Sequence, residues 1–175
     1  MEAIKEHTTS DVIIDREKDA LLRGLEGQRR HILAMLEGLS DEQLRTAILP
    51  SGWHCLGLVR HLTGVEDYWF RQSVHGEPPI VSALDDGDDW IVPGHQRADE
   101  VLDRYRSAVA RSNEIITETP LDSPPRHRDP EWQEWGMIFP DLRTILVHVL
   151  IDTSVHAGHL DATRELIDGR QWVVI

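Results

Sequence analysis

"LVHVLIDTSVHAGHLDATRELIDG", residues 146–169, decides how the chain is read. Its apolar residues recur with the 3.6-residue period of a helix, and the pattern reaches back to Asp141. Leu142, Ile145, Val149, Thr153, His156, Leu160 and Ile167 share one stripe, and Gly169 stands where a helix commonly ends. At about 100° per residue, His156 falls inside this stripe and Asp152 at its edge, about 40° away. His148 and His159 fall on the flank. A carboxylate directed at a core is costly unless something compensates its charge, so this helix is expected both to pack and to bind.

The same period marks three earlier segments. Residues 16–39 align Leu21, Leu25, Ile32, Met35, Leu36 and Leu39, with Asp15 as the expected N-cap. Residues 55–74 align Leu58, Leu62, Val65 and Trp69, and residues 98–119 align Val101, Tyr105, Ala108, Ser112 and Ile115. Ser40-Asp41-Glu42-Gln43 is a capping box, which predicts a short extra helix in the first connection. No run reads as strand. Residues 76–96 and 120–140 are rich in Pro, Gly and Asp and read as long loops.

Four long amphipathic helices imply an all-α fold: a four-helix bundle forming a single domain over 1–175, with residues 1–15 as a flexible N-terminal segment. Its connections are longer than usual helix-to-helix turns, so consecutive helices need not be antiparallel neighbours. Loops of that length also tend to cover or form a site.

Bulk properties narrow the function. The 175 residues suffice for a sizeable core. A net charge of −13 repels nucleic-acid phosphates and anionic lipid, so neither is an expected partner. One cysteine, Cys55, leaves no intramolecular disulfide to form. "MEAIKEHTTSDVIIDREKD" lacks the basic start and apolar run of a signal peptide, and no stretch is apolar enough to span a membrane. A cytoplasmic location is expected.

A third donor stands on the second helix. His61, in "LVRHLTGVEDYWF", lies on the flank of the Leu58–Trp69 stripe. Together His61, Asp152 and His156 offer two imidazoles and a carboxylate. That set suits Zn²⁺ first, with Ni²⁺ or Fe²⁺ as alternatives, and leaves positions open for water or substrate. Blander readings stand beside it: a core histidine hydrogen-bonded to a neighbour, or Asp152 paired with Arg60, Arg143 or His156.

Other residues carry two readings each. Cys55 lies near a helix start, where a thiol is either activated or simply packed, and packing is favoured. His54 reads as a capping residue. "DDGDD", 85–89, lacks the rest of a calcium loop and reads as solvated acid. Trp90, Trp132 and Trp135 lie in the long loops, where they either wall a pocket or anchor the chain. Arg126 and Arg128 are candidates to hold an anionic substrate group.

"SGWHCLGLVRHLTGVEDYWF", residues 51–70, together with residues 146–169, resembles the DinB-like superfamily of four-helix metalloproteins. Within it the chain is most similar to the branch related to mycothiol-dependent maleylpyruvate isomerase. The resemblance implies up-down-down-up connectivity, a homodimer, and metal ligands at His61, Asp152 and His156. It also implies Zn²⁺ or Ni²⁺ and a low-molecular-weight thiol such as mycothiol or bacillithiol. The fourth-helix carboxylate departs from the usual Glu or His, and Asp152 reaches one methylene less far. His159, in the "HAGH" run, is implied to stand behind the ligands or to meet substrate. The expected function is a metal-dependent thiol transferase or thiol-dependent isomerase acting on a small-molecule electrophile. A metal-activated hydrolase and a non-catalytic, stress-related binding or structural bundle are the alternatives.

Overall fold

The computed structural model describes residues 9–79 and 90–172, with side chains from Arg16 onward. The acidic run 85–89 and residues 1–8 lie outside the described residues. Among the described residues all regular structure is helical. In chain order these are α1 (Thr9–Leu36), α2 (Asp41–Arg45), α3 (Cys55–Glu66), α4 (Ala98–Glu118), α5 (Glu131–Glu134) and α6 (Leu142–Asp168). A π-helical stretch, Asp67–Val74, continues α3 without a break.

Local chemistry sets most of the boundaries. The Ser40 hydroxyl accepts from the Gln43 N–H at 3.2 Å, and the Gln43 side chain accepts from the Ser40 N–H at 2.9 Å, completing the capping box of α2. His54 Nδ1 accepts from the Gly57 N–H at 3.1 Å and so caps α3. Asp141 caps α6 through the Thr144 N–H at 2.9 Å, and Gly169 ends it at φ 79°. One boundary differs from expectation. The backbone of α1 is already helical at Thr9, which places Asp15 inside the helix rather than at its cap.

Packing is pairwise: α1 runs along α6, and α3 runs along α4. The stripe residues Val101, Tyr105, Ala108, Ser112 and Ile115 are all buried, as are Leu142, Ile145, Val149, Thr153 and Leu160. Each large apolar side chain withdrawn from water contributes about 1.5–3 kcal/mol. The π-helical stretch turns two adjacent residues, Trp69 and Phe70, into the core together. Its wider register shows in the His75 N–H donating to the Phe70 carbonyl at 2.9 Å, five residues back.

A buried ion pair crosses this core. Arg29 donates from Nε and Nη2 to the two Glu66 carboxylate oxygens at 2.7 and 2.5 Å. Its Nη1 donates to Glu26 at 3.0 Å and Asn113 at 2.8 Å, tying α1, α3 and α4 together. The second long loop contains the single turn α5, which sequence periodicity does not reveal. Trp132 anchors it: the ring stacks on Trp69 at 5.4 Å, and the indole N–H donates to the Tyr68 hydroxyl at 2.8 Å.

Candidate metal centre

Two helices supply the site. Asp152 and His156 stand one turn apart on α6, and His61 faces them from α3. One donor atom from each lies within 4.8 Å of the others. A tetrahedral ion with bonds of about 2.0–2.2 Å holds its donors roughly 3.3–3.6 Å apart, so any pair standing wider than that draws together to share one ion. The shorter aspartate stands within 4.8 Å of both imidazole donors. The His61 and His156 rings lie 5.0 Å apart at 67°, and His156 Nε2 is 3.5 Å from Asp152 Oδ1.

Hydrogen bonding fits a group that accepts electron pairs. Asp152 Oδ2 and His156 Nδ1 are both buried and have no hydrogen-bond partner. Such atoms are rare in folded proteins, because an unsatisfied buried polar atom costs about 1–3 kcal/mol. Neither arginine considered from sequence takes up the carboxylate's free oxygen. Arg143 pairs with Glu17 and Asp141, and Arg60 donates to the Ile91 carbonyl. Burial pushes the Asp152 carboxyl up, but His156, His61 and His148 outweigh it and hold the group below the usual range. A carboxylate kept ionised between two imidazoles is the chemistry of a cation site.

Aromatic rings enclose the histidines. Trp90 stacks on His61 at 4.2 Å and 13°, and its ring lies 5.6 Å from that of His156. His159 is exposed; its ring is 5.9 Å from His156 and 6.3 Å from Trp53, outside the triad itself.

A family model described as Mycothiol-S-transferase matches residues 20–169, from within α1 to the glycine that ends α6. The chain belongs to this family. It is a DinB-like family, and membership implies a mycothiol-related thiol transferase activity. No curated protein matches the chain.

Mycothiol S-transferase family membership directs attention to sulfur. Cys55 is fully buried, and burial pushes its thiol up to about 11, so it stays protonated and packed. A cavity of about 1550 Å³ opens beside the triad and has His61 and Asp152 in its wall. Trp69, Trp135, Met137 and His148 also line it. The loop tryptophans thus divide: Trp135 lines the cavity, Trp90 stacks on His61 outside it, and Trp132 is a core anchor. Arg126 donates to the His75 carbonyl at 3.2 Å, and neither it nor Arg128 lines the cavity.

His148 is the residue sequence reasoning underrates. Burial holds its pKa below the ordinary value, and its ring packs edge-on against Trp69 at 4.7 Å and Phe139 at 5.1 Å. The signal was available, since His148 stands one helical turn before Asp152 on the same face of α6. No helix among the described residues is long and apolar enough to cross a membrane.

Proposed function

We propose that the protein is a metal-dependent thiol S-transferase in which His61, Asp152 and His156 hold one divalent cation. Zn²⁺ heads the candidates for two imidazoles and one carboxylate, followed by Ni²⁺ and Fe²⁺. The observation that carries this reading is the pair of buried, unpartnered atoms, Asp152 Oδ2 and His156 Nδ1, in a triad that borders a large cavity. Lewis acidity at this position favours the thiolate form of a thiol at neutral pH.

The chain's own residues account for the rest. Cys55 is buried and protonated, so the reacting sulfur comes from a small co-substrate, for which the family implies mycothiol. Asp152 stays ionised and His148 neutral at pH 7, which gives the part of the cavity wall formed by α6 a fixed negative charge and a polar ring able to take up a proton. Trp69, Trp135 and Met137 offer apolar surface to the electrophile that the thiol attacks. The same reading takes the four long helices as an up-down-down-up bundle, supported by α1 lying beside α6 and α3 beside α4.

The test is conjugation of mycothiol to a generic aromatic electrophile by untagged protein, before and after chelation. Activity lost on chelation and restored by one equivalent of metal is expected. Undiminished conjugation by metal-free protein would overturn the reading. Metal-dependent hydrolysis of the electrophile without thiol consumption would favour the hydrolase alternative.

A further inference from the structure

Residues 90–92, which lead out of the first long loop, are fastened onto α3 beside the triad. The Arg60 side chain donates to the Ile91 carbonyl, and the Val92 side chain is buried in the core. At Gly57 the helix presents bare backbone: a methyl group there would overlap the Trp90 carbonyl oxygen. Glycine weakens a helix interior relative to alanine, so its presence one turn before His61 answers a need for close approach. That approach delivers the Trp90 indole flat onto the His61 ring at 4.2 Å and 13°. The cavity is bordered by His61 but not by Trp90, so the indole covers the ring away from the space open to substrate.

We propose that Trp90 is a positioning residue that fixes the ring plane of His61 and so sets the affinity of the triad for a divalent metal. The inference rests on the metal reading above. A histidine ring turns in a broad torsional well, so the angle at which its nitrogen meets Asp152 and His156 is sensitive to what packs on its face. A stacked indole selects it. Partners behind a metal-binding histidine typically alter affinity about 10–100-fold, and the stack is assigned an effect of that size. Gly57 belongs to the same device, because it alone lets the loop backbone come close enough for the rings to meet.

The experiment is Co²⁺ titration of metal-free protein, followed by visible absorption, with circular dichroism and thermal melting as controls of folding. Trp90→Leu keeps an apolar side chain on the loop but cannot stack, and it is expected to weaken Co²⁺ binding about 10-fold or more. Trp90→Phe restores a ring and is expected to bind within a few-fold of wild type. Gly57→Ala touches neither ring and favours the helix, yet it should reproduce the loss seen with Trp90→Leu. Equal binding by wild type, Trp90→Leu and Gly57→Ala overturns the inference and leaves the triad standing. So does a Phe variant as weak as the Leu variant. Wild-type protein that binds no Co²⁺ overturns the metal reading and this inference with it.

Discussion

Arg29 and Glu66 are each 2 % exposed and meet through two hydrogen bonds, with Glu26 and Asn113 taking another guanidinium nitrogen. Asp152 and His156 are 33 % and 14 % exposed, yet each keeps one buried atom without a partner. The more deeply buried cluster is therefore the better satisfied one. Depth of burial does not separate the two clusters in the direction of function; the second is distinguished by two unpartnered atoms on neighbouring side chains beside a cavity. The first network holds helices together, and in the proposed reading the second holds two atoms in readiness for a metal ion.

The largest expected effect breaks the satisfied network. Glu66→Ala leaves the Arg29 guanidinium buried without its main partner and should cost about 3–5 kcal/mol of stability in urea unfolding. Metal binding by the remaining folded protein should persist, because the triad lies on other side chains. The opposite pattern is expected at the second cluster. His156→Ala should change the stability of metal-free protein little but abolish the added stability from Zn²⁺, about 2.7 kcal/mol at a hundredfold excess over the dissociation constant. A thermal-shift measurement with and without Zn²⁺ separates the two outcomes.

Cys55→Ala sharpens the contrast by removing a polar atom that neither cluster uses. It should leave thiol transfer unchanged, and in the wild type the thiol should resist alkylation at pH 8 until the protein is unfolded, since burial holds it near 11. Rapid alkylation of folded protein would contradict this. The smallest effect is on pH dependence. Burial depresses the pKa of both His54 and His148, so the unfolded chain binds protons more readily than the folded one as pH falls through about 6.5. Metal-free protein should thus lose melting temperature between pH 7.5 and 5.5, and His148→Gln should reduce that loss.

Much of this was legible in the sequence wherever the determinants are local. A capping box, an Asp141 cap and a Gly169 terminus act within a few residues, so α2 and α6 read directly. Asp152 and His156 were legible for the same reason: four residues apart on a helix means side by side. His61 was readable as a donor on the flank of another stripe, and the family resemblance gave the same residue. Val12, Ile13 and Ile14 are β-branched and disfavour helix, which hid the first turns of α1. The π-helical stretch has a longer period than any helical template, and α5 is one turn held by Trp132 in the core. The roles of the tryptophans depend on loop paths that no local pattern encodes, so Trp90 against His61 and Trp132 against Trp69 emerged only in three dimensions.

The metal content of protein purified without an affinity tag tests the central claim most directly. Elemental analysis should find about one divalent metal per chain in wild type, His148→Ala and His159→Ala, and none in His61→Ala, Asp152→Ala or His156→Ala. A wild-type protein without metal that also fails to take up Zn²⁺, Ni²⁺ or Fe²⁺, or triad variants that retain the ion, would contradict it.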